Sequence, residues 1–144
     1  MEYRRLGDTI AVRLDRGEEI LSCMKEIALK ESIQVAIVQG IGATDQVSFG
    51  LYNVEMKKYL SHTYEQPFEI ISLEGNITRR EEQPYLHLHI VLGDEAGNSF
   101  GGHLNMARIG GTAEIFIKIL DGKIERKIDP MNTGLQVFQL DDNF

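Results

Sequence analysis

Apolar and polar residues alternate with a period of two along most of this chain, and one early stretch departs from that to the 3.6-residue period of a helix. Thr9 to Leu14 reads as a short strand. Asp15 follows as a candidate N-cap with Glu18 three residues on, the spacing of a capping box, and Ile20, Leu21, Met24, Ile27 and Ala28 then form the apolar stripe of a helix running to about Glu31. Gln34 to Val38, Val47 to Tyr52, Lys58 to Tyr64, Phe68 to Thr78, Tyr85 to Leu92, Phe100 to Met106, Thr112 to Ile119, Ile124 to Ile128 and Leu135 to Leu140 read as further strands. Gly40-Ile41-Gly42-Ala43 is assigned to a tight turn or bulge, because β-like residues follow it where a phosphate loop needs a helix. Asp121-Gly122 predicts a two-residue hairpin joining 112–119 to 124–128. One early helix among many strands predicts an α+β fold: a single domain over residues 1–144, mostly antiparallel β-sheet with one main helix near the N-terminus.

The alternation carries chemistry in one place. Leu86, Leu88, Ile90 and Leu92 occupy one face of their strand, and Tyr85, His87, His89 and Val91 the other. After the polar turn Gly93-Asp94-Glu95-Ala96-Gly97-Asn98, Phe100, Leu104 and Met106 alternate with Gly101, His103 and Asn105. Pairing Leu92 with Phe100 sets Leu88 opposite Leu104, Leu86 opposite Met106 and His89 opposite His103. A shift by two residues sets His87 opposite His103 instead. Either register places three imidazoles on one face, with Cβ atoms of the facing pair roughly 4.5 to 5.5 Å apart, and a one-residue slip would bury His103 among leucines. His87, His89 and His103 are therefore the candidate metal ligands. Neutral imidazoles suit a divalent metal, zinc first and also nickel, copper or iron, and three protein ligands leave a position open for water, a small molecule or an anion.

Composition narrows the rest. Hydrophobic content of 42% and charged content of 26% are ordinary for a globular protein. No apolar run is long enough to span a bilayer, and Met1-Glu2-Tyr3-Arg4-Arg5 lacks the apolar stretch of a signal peptide, so a cytoplasmic protein with no membrane partner is expected. The single cysteine, Cys23, falls on the helix's apolar face and reads as a buried structural thiol. A net charge of −7 opposes strong unaided binding to a phosphate backbone. Arg4-Arg5, Lys57-Lys58 and Arg79-Arg80 are adjacent basic pairs, and they read as solvated strand-end or loop charges. His62, between Ser61 and Thr63, reads as a surface strand residue that leaves room for a fourth ligand.

Phe68-Glu69-Ile70-Ile71-Ser72-Leu73-Glu74-Gly75-Asn76-Ile77, Leu86-His87-Leu88-His89-Ile90, Gly101-Gly102-His103-Leu104 and the upstream Gly40-Ile41-Gly42-Ala43 resemble the PPC domain, named for its presence in plants and prokaryotes. The resemblance covers almost the whole chain. It implies a stand-alone prokaryotic member of a kind described as DNA-binding by analogy with plant proteins, a homotrimer, and a metal on the residues matching His87, His89 and His103. Plant members carry Gly-Arg-Phe-Glu-Ile-Leu at the start of one strand, where this chain has Gln66-Pro67-Phe68-Glu69-Ile70-Ile71. The arginine is missing. The Arg-Gly-Arg-Pro hook that grips the minor groove in the plant proteins is also absent. A cupin presents His-x-His too, but Gly93 and Asp94 stand where its glutamate belongs.

The leading functional expectation is thus a small oligomeric metal-binding protein, tied to DNA or transcription through partners or a bound ligand. Beside it stand a zinc-dependent enzyme of hydrolase or lyase type, in which a tris-histidine metal activates water, and a direct DNA-binding protein. For the enzyme, Glu69, Asp94, Glu95 and Glu114 are the acid-base candidates, none placed by spacing.

Overall fold

A computed structural model describes residues 1–140. Its elements are β1 (Glu2–Leu6), β2 (Thr9–Asp15), α1 (Ile20–Lys30), β3 (Ala36–Asn53), β4 (Lys58–Tyr64), β5 (Phe68–Arg80), β6 (Gln83–Gly93), β7 (Ser99–Ile119), β8 (Glu125–Ile128) and β9 (Gln136–Gln139). They form one sheet in the order β1-β2-β7-β3-β5-β8-β9, with β4 added to β3. Among the described residues its pairings are antiparallel, save for the contact of Arg79 in β5 with Glu125 in β8. The α+β, mostly antiparallel expectation holds, and no described helix is long and apolar enough to cross a membrane.

What positions the candidate site is a closure. β6 pairs with both β5 and β7, so β3, β5, β6 and β7 make a closed circuit of hydrogen-bonded neighbours. Closing the sheet leaves these strands no exposed edge there. Val38, Leu73, Ile77, Leu88, Ile90, Ile115 and Ile117 are buried on the inward side. Burying each such aliphatic side chain stabilises the fold by about 1.5–3 kcal/mol. Helix α1 lies across β6 and β7 and buries Ile20, Met24, Ile27 and Ala28 of its stripe.

Several boundaries differ from the sequence reading, each for a physical reason. The helix starts at Ile20, not after Asp15: Glu19 is the N-cap, and its carboxylate accepts from the Leu21 and Ser22 N–H groups. The Asp15–Glu18 pair does form, with Glu18 accepting from the Asp15 N–H at 2.8 Å, but it closes the turn that leaves β2. Gly40 to Ala43 is a bulge inside one continuous strand, since the register on β5 shifts between Gly40 and Gly42. A Cβ on Gly42 would lie 2.5 Å from the Thr112 carbonyl oxygen, so the strands approach only because it is glycine. Likewise 100–106 and 112–119 are one strand, β7, running through Gly110-Gly111. The hairpin predicted at Asp121-Gly122 does not form: β8 turns away from β7 to pair with β5 and β9. β1, which the sequence reading left unassigned, pairs with β2 through a turn at Gly7, φ 65°. Cys23 is only partly buried, and desolvation raises its thiol pKa.

Candidate metal centre

His87 and His89 lie on β6 and His103 on β7, with His89 directly opposite His103. The pairs from Leu92–Phe100 to His89–His103 follow the first of the two registers the alternation allowed. The ladder ends at the histidines. The expected Leu88–Leu104 and Leu86–Met106 pairs do not form, because β7 leaves β6 there and continues along β3, where Leu104 pairs with Phe49 and Met106 with Ser48. The three rings converge nonetheless, with centroids 5.1, 5.2 and 5.5 Å apart.

The imidazole Nε2 atoms of His87 and His89 are 3.3 Å apart, and one ring nitrogen from each of the three histidines lies within 4.8 Å of the others. Tetrahedral zinc with metal–nitrogen bonds of about 2.0–2.1 Å needs its ligand nitrogens about 3.3–3.4 Å apart, so the cluster fits such an ion after a small rotamer adjustment. His87 and His103 are half-buried and His89 is exposed. Burial first, then the charges of His103, Arg126 and His89, lower the pKa of His87 from 6.5 to about 4. Burial and His89 lower that of His103. Both rings are therefore held in the neutral form that ligates. Among the described residues the cluster has three members; His62 packs instead at 6.2 Å from the Phe49 ring and does not join it.

Close backbone approach makes this convergence possible. A Cβ on Gly75, opposite Leu88, would meet the His87 carbonyl oxygen at 1.9 Å, and one on Gly101 would meet the Ile90 carbonyl oxygen at 1.9 Å. Only glycine lets β5 and β7 press against β6 on either side of the histidines.

The surroundings contain groups that spacing along the chain did not reveal. Tyr59, from β4, sets its ring edge-on to His103 at 5.9 Å and donates its hydroxyl to the His103 carbonyl oxygen at 3.1 Å. Glu74 and Asn76 of β5 stand opposite His89 and His87 and share their face. Only the β5–β6 register places them there. The acid-base candidates from sequence lie elsewhere: Glu69 pairs with Gly93, Asp94 binds Asn98 in the turn, and Glu114 sits opposite Arg13. Glu69, Asp94 and Glu95 line a separate cleft of about 690 Å³ with Arg16 and Thr44. Phe116, Gln39, Glu74, His89 and His103 form one row of cross-strand partners round the outside of the circuit. Phe116 in that row, and Ile37 and Ile41 two residues either side of Gln39, are more than half exposed or close to it.

A family profile described as the Plants and Prokaryotes Conserved (PCC) domain matches residues 1–121. No protein of curated function matches the chain. Among solved structures, a plant- and prokaryote-conserved (PPC) protein from Pyrococcus horikoshii is 37% identical, with a TM-score of 0.84 over 96% of this chain and 94% of that one. A metal-containing protein from Archaeoglobus fulgidus is 32% identical, with a TM-score of 0.86 over 96% of both chains. A protein from Bacteroides thetaiotaomicron described as a "putative dna binding protein" is 29% identical, with a TM-score of 0.92 over 96% of both.

Proposed function

The chain belongs to the Plants and Prokaryotes Conserved (PCC) domain family, and on that premise we propose that it is a small, homotrimeric, cytoplasmic metal-binding protein in which His87, His89 and His103 hold one divalent ion, zinc by donor type. The observation that carries this reading is the 3.3 Å approach of two imidazole nitrogens beside a third, on strands whose register fixes them there. The metal-containing relative from Archaeoglobus fulgidus adds support. Three histidines leave a coordination position for a small molecule or anion.

Assembly is supported by the exposed apolar side chains of Ile37, Ile41 and Phe116, which share the outer face with the histidines. A closed cyclic trimer covering that face would bring each site close to a subunit boundary. Any role at DNA runs through partners or the bound ligand, because the net charge of −7 opposes direct phosphate binding. Elemental analysis of the protein purified without a histidine tag tests the reading. About one zinc or another divalent metal per chain supports it, and metal-free protein that takes up none on incubation refutes it.

Tyr59 and Glu74 favour a second reading, a metal-dependent hydrolase or lyase. The ion would supply a Lewis acid. Glu74, opposite His89, would take or give the proton, and the Tyr59 ring, edge-on to His103, would hold that imidazole in place. Turnover of ester or phosphoester test substrates that requires metal and is abolished in Glu74→Gln distinguishes an enzyme from a binding module.

A further inference from the structure

Arg126 is a buried cation with an unusual set of partners. It belongs to β8, beyond the residues matched by the family profile, and is only 8% exposed. Its Nε donates to Thr78 Oγ1 at 2.8 Å, Nη1 to the Gln136 carbonyl oxygen at 2.8 Å and Nη2 to Asn76 Oδ1 at 2.7 Å. The guanidinium lies between two rings, 4.5 Å from the Tyr85 centroid and 4.7 Å from that of Phe138. These acceptors are neutral, so none of them carries a charge that offsets the cost of burying the guanidinium. Desolvation lowers the pKa of Arg126, where a carboxylate partner would raise it. The two ring faces offset part of the cost of burying the charge, and among the described residues no carboxylate pairs with it.

Its location supplies an explanation. Asn76, which accepts from Arg126, is the cross-strand partner of His87, and Tyr85, on which Arg126 stacks, precedes His87 by two residues on the same strand. Both side chains share the face of His87, so the guanidinium stands beside the histidine cluster, with Glu74 on the far side next to His89. A fixed positive charge there opposes the arrival of a cation. It favours an anion once the cation is bound.

We propose that Arg126 and the open position at the three histidines form a two-point site for a small anion of carboxylate or oxyacid type, the guanidinium setting the preference for negative charge. The proposal rests on the metal reading above. The test uses full-length, untagged protein loaded with cobalt(II), whose visible absorption reports both metal uptake and exchange of the fourth ligand. The probes are acetate, inorganic phosphate and neutral imidazole, applied to the parent protein, Arg126→Gln and Arg126→Lys. The parent is expected to bind one of the anions, which identifies the class, roughly tenfold more tightly than Arg126→Gln does. Arg126→Lys keeps most of that preference, and imidazole affinity is unchanged throughout. Equal anion affinity in all three proteins overturns the proposal. So does a parallel loss of anion and imidazole binding in Arg126→Gln, which marks a merely structural residue. Failure of the parent to bind cobalt appears before any probe is added, and it removes the metal reading itself. Should Arg126→Gln not fold, the Arg126 guanidinium 15N–1H resonances of the zinc-loaded parent decide: they move with acetate or phosphate and not with imidazole, and the absence of any shift with either anion overturns the proposal.

Discussion

His89 stands directly opposite His103, and that pair is the last rung of the β6–β7 ladder. Above it the two strands hold each other in register. Below it β7 turns away along β3. The histidines therefore sit at a fork, where the last rung still fixes the two backbones and the strands then part.

The glycines that allow this approach should tolerate no side chain. Gly75→Ala and Gly101→Ala each place a Cβ 1.9 Å from a carbonyl oxygen of β6. Each is expected to lose about 3 kcal/mol of stability or to fail to fold. Urea unfolding measures this, and a change below about 0.5 kcal/mol in either would contradict the strand packing described here.

Tyr59 touches His103 in two ways that substitutions separate. Tyr59→Phe keeps the edge-on ring and loses the hydroxyl bond to the His103 carbonyl, so stability should fall by about 1 kcal/mol with little change in metal affinity. Tyr59→Ala frees the His103 ring, and metal affinity should fall about tenfold. Competition with a chromophoric chelator distinguishes the two. Equal affinity in Tyr59→Ala and the parent would mean the ring positions nothing.

The lowered pKa values fix a pH dependence. Between about 4 and 6.5 the unfolded chain protonates His87 and the folded chain does not, so the unfolded state binds more protons. Stability of the metal-free protein is then full above pH 6.5 and falls as the pH drops toward 4. His103 adds in the same direction. Metal should also be retained to lower pH than free imidazoles of pKa about 6.5 would allow. Thermal melts of chelated protein from pH 4.5 to 7.5 check the sign; a melting temperature that rises toward acid contradicts it.

Much of the histidine cluster was legible in the sequence. The alternation through Leu86 to Leu92 and Phe100 to Met106 put the histidines on one face and offered two registers, one of which the structure adopts. The strand continuities were not legible. Gly40-Ile41-Gly42 and Gly110-Gly111 look like breaks, yet each is a place where a long strand bends past its neighbour, and the pairing that holds it comes from distant residues. The same limit hid Glu74, Asn76 and Tyr59, whose relation to the histidines exists only across strands. Arg126 was hidden because Asp121-Gly122 has the composition of a hairpin turn, while β8 is captured instead by β5 and β9.

A trimer should be stable at micromolar concentration and should depend on the apolar outer face. Multi-angle light scattering is expected to give three chains for the parent protein, and Phe116→Glu, which charges a side chain 55% exposed in the single chain, should give one. A monomeric parent removes the trimer.

Duplex DNA should bind only weakly. The net charge of −7 opposes approach, and the residual affinity should fall steeply with added salt. Fluorescence anisotropy at about 150 mM salt checks this. Sub-micromolar, sequence-selective binding without a partner would restore direct DNA recognition as the function.

The three-histidine assignment meets its most direct test in a competition titration of zinc against a chelator, comparing the untagged parent with His103→Ala. The parent should take up one equivalent per chain. In His103→Ala, affinity should fall at least about a hundredfold, since a two-histidine remnant loses a ligand and the opposite member of the rung. One equivalent bound as tightly by His103→Ala as by the parent would contradict the site.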